Sequence, residues 1–334
     1  MTESRVYLDE IQLFNGLILK LSRPLEKIER ATTELLKEAF QHGVPYFWEY
    51  EKGEHIYVPV DGGSIRVIHF KPENLIHKRP IVLVSGWGVV PSTFQDFYEV
   101  MHEKYEFYYL ETREKASSKI KRFAQFTITQ KAKDIGDAIK FLGLQSRDFV
   151  LMGTCWGSSV ILQGLMDNSI KAPTILVFDP MYKLTYSRFF LTFIAPILPV
   201  PLLSLLRPFM KRQRVGEMQE KRQKERVDAT VDNAVLWKWK RASIQCRNFM
   251  LYGNLHKIAQ EVFVINSTKD YIHDPINYPN IAHQLPKGRF LRLQGTEDKR
   301  EYIAAIVARE FSRVLKNEFP NSMEEFEVQL PRDS

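Results

Sequence analysis

Short apolar runs alternate with amphipathic stretches along most of this chain. Pro80-Ile-Val-Leu-Val-Ser85, Phe107-Tyr-Tyr-Leu110, Phe149-Val-Leu-Met152, Thr174-Ile-Leu-Val-Phe178, Glu261-Val-Phe-Val-Ile265 and Arg289-Phe-Leu-Arg-Leu293 each have the length and near-continuous apolarity of a strand buried on both faces. Between them lie segments of helical period. The clearest is Thr129 to Leu142, with Ala132, Ile135, Ala138, Ile139 and Leu142 on one side; others run over Thr93 to His102, Val160 to Leu165, Asn280 to Leu285 and Arg300 to Leu315. Upstream, His55 to Val60 and Ser64 to Phe70 flank Asp61-Gly62-Gly63, which signals a hairpin. Strands alternating with helices predict an α/β fold, with a mainly parallel sheet covered on both faces.

The alternation sets the expected boundaries. Residues 1–50 read as a helical extension, with Ile11, Phe14, Leu17, Ile18 and Leu21 on one face. Ile28, Leu35, Leu36 and Phe40 lie on a second face beyond Pro24. Residues 51–182 and 257–317 form the α/β core. Residues 183–256 interrupt it as a helical insertion, and residues 318–334 read as a loosely held tail.

Composition narrows the function classes. The chain has 334 residues, 47 basic against 40 acidic, and a net charge of +7. That modest excess gives no case for nucleic-acid binding. Two cysteines, Cys155 and Cys246, make no disulfide framework and point to a reducing, cytoplasmic setting. The first residues, Met-Thr-Glu-Ser-Arg-Val, lack a basic-then-apolar signal pattern. Neither H-E-x-x-H nor paired C-x-x-C occurs, so no metal is expected. Gly86-Trp87-Gly88 lacks a third glycine and no G-K-[ST] occurs, so no nucleotide cofactor is expected either.

The chemistry concentrates at Gly153-Thr154-Cys155-Trp156-Gly157, directly after an apolar strand and before an apolar helix. The pattern is G-x-C-x-G, the thiol form of the nucleophile elbow. A side chain at such a strand-to-helix turn tolerates only small neighbours. A cysteine there sits at a helix N-terminus, where the dipole favours a thiolate.

From Tyr57 to Leu315 the chain resembles the α/β-hydrolases. The resemblance rests on the element order, the Gly86-Trp87-Gly88 turn, the elbow, the insertion after Asp179 and Ser267-Thr268-Lys269-Asp270 after a late strand. Dienelactone hydrolases and polyhydroxyalkanoate synthases in that superfamily carry a cysteine at the elbow. The resemblance implies Cys155 as nucleophile, the Trp87 and Trp156 amides as oxyanion hole, and Asp270 as the acid, with Asp179 one strand earlier as the alternative. It also implies a histidine after the last strand. Here that loop reads Gly295-Thr296-Glu297-Asp298-Lys299-Arg300, with Glu297 in the histidine's place. A carboxylate there either handles the proton itself or bridges to Lys299 or Arg300. His273 and His283 are the alternative bases; His102 and His256 are better read as surface or capping residues.

In the insertion, Phe189 to Leu206 is apolar and uncharged, but Pro196, Pro199 and Pro201 forbid one continuous helix. It reads as short lid helices lining an acyl-sized pocket, and Lys211 to Arg226 as a solvated helix face. An apolar lid next to Lys211, Arg212 and Arg214 also gives an expected contact with lipid surfaces. The expected activity is hydrolysis of small-molecule carboxylic esters or thioesters with an apolar acyl part. The alternatives are a hydrolase-fold binding protein without catalysis, and an acyltransferase of polyhydroxyalkanoate-synthase type.

Overall fold

The computed structural model describes residues 11–14, 17–21, 23–37, 53–184, 186–216, 218, 220–268 and 276–331. Asp270 and His273 lie outside the described residues. In chain order the elements begin with β1 (Ile11–Phe14), β2 (Leu17–Leu21) and α1 (Leu25–Lys37). The hairpin follows as β3 (Glu54–Val60) and β4 (Gly63–Phe70). Next come β5 (His77–Val84), α2 (Gln95–Met101), β6 (Tyr105–Leu110), β7 (Lys119–Ile120), α3 (Ile128–Phe141), β8 (Val150–Thr154), α4 (Trp156–Met166) and β9 (Thr174–Phe178). The insertion contributes α5 (Val200–Leu205), α6 (Arg207–Gly216), α7 (Lys221–Asp232) and α8 (Leu236–Gln245). The core resumes with β10 (Val262–Thr268), α9 (Asn277–Gln284), β11 (Gly288–Gly295), α10 (Arg300–Arg313) and β12 (Glu327–Gln329).

The strands form a single sheet in the order β1-β2-β12-β11-β10-β9-β8-β5-β6-β4-β3, with β7 beside β4. The six strands from β6 to β11 are parallel, and the flanks are antiparallel. Side chains alternate across the sheet, as the two-residue strand period requires. Val82, Val84, Leu151 and Val177 enter the core under α3, α4 and α9. Ile81, Leu83, Val150 and Met152 enter the core under α2 and α10. From β5 the chain moves to β6 on one side; from β8 it moves to β9 on the other. The loops leaving the carboxyl ends of β5 and β8 therefore diverge and leave a crevice, the usual ligand position in an open α/β sheet.

Two expectations are corrected. Residues 11–21 are not helical: β1 and β2 form an antiparallel hairpin, and β2 pairs with β12 through Leu21 and Val328. Leu17-Ile-Leu-Lys-Leu fits strand and helix templates alike, and an edge strand within reach decides between them. The tail is not loose: Met323, Phe326 and Val328 are buried, and β12 pairs with β11. Phe319 stacks on Phe263, with the Arg289 guanidinium over its ring.

One buried carboxylate on β6 gives a pH test. Glu106 accepts from His69 (2.9 Å), Tyr108 (2.8 Å) and Arg147 (2.7 Å). Burial pushes its pKa up, but these bonds outweigh burial and hold it well below the usual carboxylate range. A depressed folded-state pKa stabilises fully above the unfolded value and is lost as pH falls below it. Urea midpoints are expected to drop from pH 6 to pH 3, and Glu106→Gln to show a smaller drop; equal pH slopes would remove Glu106 from the explanation.

Candidate active site

Cys155 directly follows β8, where the loops from β5 and β8 diverge. Its backbone adopts φ 51° and ψ −116°, a strained region for any residue with a Cβ. The turn is fixed on both sides. The Cys155 amide donates to Phe178 O (2.9 Å), and the hydroxyls of Ser158 and Ser159 donate to Phe178 O and Met181 O. The flanking glycines are steric necessities: a Cβ on Gly157 would fall 2.2 Å from Val84 O, and one on Gly153 would fall 2.6 Å from the Ser158 nitrogen. Cys155 is half-buried, whereas Cys246 is buried in the core, donates to Phe126 O and has its pKa raised by burial.

The opposing wall is the turn after β5. Val84 pairs with Gly153, so Gly86 comes level with the elbow, and a Cβ on Gly86 would lie 3.4 Å from the Cys155 Cβ. The Trp156 amide is in the first turn of α4, where N–H groups lack intrahelical partners. The two indoles meet edge to face with centroids 5.4 Å apart. Trp156 is fully buried against Phe249 and belongs to the core; Trp87 is half-buried.

A buried charge cluster underlies this wall, and sequence reasoning passed over it. Glu111-Thr112-Arg113-Glu114-Lys115 follows β6, and all five side chains are buried. Lys115 Nζ donates to Gly86 O (2.5 Å) and to Val89 O (2.7 Å). Gly86 C=O and Trp87 N–H belong to one planar peptide unit. An ammonium on that carbonyl therefore fixes and polarises the Trp87 N–H. Burial pulls the Lys115 pKa down to about 8, against the opposing pull of Glu114 and Glu111; a Cys155 thiolate also favours its charged form. Lys131, from the buried stripe of α3, lies 3.0 Å from Glu114 Oε2, with its ammonium 4.2 Å from the Trp87 ring centroid and 5.3 Å from that of Trp156. Burial pushes Glu114 up, but Lys131 and Lys115 outweigh it and leave it below its ordinary value. Lys238 of α8 caps the loop by donating to Lys115 O (2.7 Å) and Ser118 O (2.5 Å). Two signals were available: a polar run at the carboxyl end of an apolar strand, and a lysine four residues before Ile135 on an apolar stripe.

Glu297 and Asp179 share Arg300. Glu297 accepts from Thr268 Oγ1 (2.8 Å), Gln223 Nε2 (3.1 Å) and Arg300 (2.6 Å). Of the roles open to Glu297 from sequence, the bridge to Arg300 is present. Asp179, at φ 45°, accepts from the Ser267 hydroxyl (2.5 Å), the Ser267 amide (3.1 Å) and Asn266 (3.3 Å), with Arg300 Nε at 3.6 Å. His283 lies half-buried on α9. Among the described residues no His, Cys, Asp and Glu group could hold a metal ion.

The insertion is bolted to the core by α7 and α8. Gln223 reaches Glu297, Arg226 bridges Asp96 and Glu301, and the Trp239 ring sits on Gly88, where a Cβ would fall 2.0 Å from it. Gly88 also has φ +64°, so it alone admits that contact. Gly88→Val is expected to lift Trp239 off the turn, read as a red shift of tryptophan emission; an unchanged spectrum would deny the contact. A cavity of about 280 Å³ lies beside this turn, lined by Gly88, Val89, Glu111, Lys115, Ser117 and Trp239. The expectation that Phe189 to Leu206 lines a pocket is corrected: of its large apolar side chains only Leu191 is buried, and Phe189, Phe193, Ile197 and Leu205 are turned outward. Nor is Lys211 to Arg226 solvated throughout, since Gln223 and Arg226 are buried against the core.

No family model matches the chain, and no curated protein matches it in sequence. Solved structures do match in shape. A thermophilic esterase from Thermogutta terrifontis is 13% identical with a TM-score of 0.61, over 78% of this chain and 97% of that one. An esterase from Exiguobacterium antarcticum is 14% identical with a TM-score of 0.61, over 79% and 99%. A bacterial membrane phospholipase A is 15% identical with a TM-score of 0.58, over 86% and 89%. At such identities the likeness carries the architecture: the chain has the α/β-hydrolase fold.

Proposed function

We propose that the chain hydrolyses carboxylic esters or thioesters with an apolar acyl part through a covalent intermediate on Cys155. The observation that carries the reading is a half-buried thiol held at φ 51° on the elbow, level with a turn whose peptide is clamped by Lys115. Backbone strain of this kind is kept where surrounding structure enforces it, and such places cluster at active sites. The structural neighbours, two esterases and a phospholipase A, belong to the same reaction class.

The Cys155 thiolate attacks the carbonyl carbon. The π pair moves to oxygen, which the Trp87 and Trp156 amides hold. Collapse expels the alkoxide or thiolate, which takes a proton from water, and leaves an acyl-thioester on sulfur. Water then adds to that carbonyl, the sulfur leaves as thiolate, and the acid is released. A thiol suits a site without a histidine at the usual position, since a few per cent is ionised at neutral pH without a base. Asp270 remains the proposed acid by its place after β10, with Asp179 as the alternative.

A second reading rests on Glu297. Both of its oxygens are taken up by Thr268, Gln223 and Arg300, which suits a structural lock better than proton transfer and favours a ligand-binding protein. Turnover of p-nitrophenyl acyl esters and acyl-thioesters by wild type and Cys155→Ala decides between them. The hydrolase reading expects turnover that Cys155→Ala abolishes, with acyl-enzyme trapped by mass; equal background rates would leave the binding reading. Product that forms only with an added alcohol or thiol acceptor would mark acyl transfer instead.

A further inference from the structure

The insertion carries a feature that covering a site does not require. Residues 186–216 contain five basic residues, Arg188, Arg207, Lys211, Arg212 and Arg214, and no aspartate or glutamate. Nine of the fourteen exposed large hydrophobics among the described residues fall in the same stretch. Phe189, Phe193, Ile197, Leu205 and Phe209 are exposed by 66%, 62%, 80%, 76% and 68%. A soluble surface scatters such residues singly, and a concentration of this kind marks an interaction site.

We infer that this face of the insertion docks on the surface of an anionic lipid bilayer, with the aromatic and aliphatic side chains entering the headgroup boundary and the arginines meeting lipid phosphates.

Charge selects the occupant. A stretch with cations and without anions complements an anionic surface, and would repel a second copy of itself. The backbone geometry selects the mode. No described helix is long and apolar enough to cross a membrane, and prolines at 196, 199 and 201 divide the run into a short turn and α5. Such a segment lies in the interface instead of spanning it.

The scaffold beneath is fixed from the core side. Lys240 of α8 holds the 196–198 loop by donating to Pro196 O (3.0 Å) and Leu198 O (2.6 Å). Arg207 donates to the carbonyls of Asp232 and Ala234, and Lys211 pairs with Asp228 and Asp232 of α7. Those cations tie α6 to α7, Arg214 lies over the Tyr186 ring, and Arg188 and Arg212 are exposed.

The test is cosedimentation of the full chain with vesicles of phosphatidylcholine alone, and of equal parts phosphatidylcholine and phosphatidylglycerol. Binding needs no turnover, so the result is independent of the hydrolase reading. Wild type is expected to bind the mixed vesicles, more weakly as salt rises. Phe193→Ser with Ile197→Ser is expected to weaken binding at least tenfold at about 25 cal/mol per Å² of apolar surface withdrawn from water. Arg188→Gln with Arg212→Gln is expected to cost about fivefold per charge at low salt. All four side chains are exposed, so the fold is retained, as a circular dichroism melt verifies. The inference is overturned if wild type ignores anionic vesicles, if both double variants bind like wild type, or if the chain instead self-associates in ultracentrifugation through these residues.

Discussion

Lys115→Met is expected to lower kcat for ester hydrolysis by about a hundredfold with little change in KM, on the scale of losing an oxyanion donor. The ammonium bonds Gly86 O and Val89 O, and the Gly86 carbonyl shares its peptide plane with the Trp87 amide. Without the ammonium that peptide can rotate, and the N–H is no longer aimed where negative charge develops. The interaction lost is one realised only as the oxyanion develops, so the loss falls on kcat. The pH profile separates this role from a packing role. Lys115 is protonated below about 8 and loses its charge as pH rises through that value, so wild-type activity should fall on that alkaline limb. Lys115→Arg keeps the charge at every accessible pH and should move the limb upward, at reduced rate because the planar fork fits two carbonyls differently. Lys238 is also drawn down to about 8 by burial, so Lys238→Met is the needed control and should retain the limb. If Lys115→Met keeps the wild-type kcat, or Lys115→Arg keeps the wild-type limb, Lys115 has no part in catalysis.

The strands and the elbow were legible because each is written locally. A run such as Phe149-Val-Leu-Met152 is too short for a helix and too apolar for a surface, and glycines two residues either side of Cys155 leave few other turns. What the sequence concealed is longer in range. Residues 17–21 became a strand because β12 arrives from the other end of the chain to pair with Leu21. The tail is opaque to local pattern for the same reason, since its three strand residues mean nothing until β11 and β2 are placed either side. Phe189 to Leu206 looked like pocket lining because hydropathy reports preference for burial and cannot say against what.

The Lys115 cluster was hidden by the rule that charged residues face water. Glu114, Lys115 and Lys131 break that rule together, each tolerated by the others, and only the three-dimensional grouping makes any of them affordable. The structure forms the Glu297–Arg300 bridge, and a bridge to Lys299 or Arg300 was readable as one of the roles open to Glu297. Its attachment to the insertion through Gln223 was not, because α7 lies 74 residues earlier in the chain.

That attachment leads to the largest expected effect on stability. Arg300 stands between two buried carboxylates, 2.6 Å from Glu297 and 3.6 Å from Asp179. Arg300→Met removes the cation that both acids share, which is expected to cost about 3–5 kcal/mol. At the usual scaling that lowers Tm by roughly 10 °C. Arg300→Lys, which restores one charge, should melt between wild type and Arg300→Met. Because Glu297 also receives Gln223, the weakened lock should loosen α7 before the sheet melts, read as faster amide exchange in residues 221–232 than in β8. If Arg300→Lys melts no higher than Arg300→Met, Arg300 contributes packing and not charge.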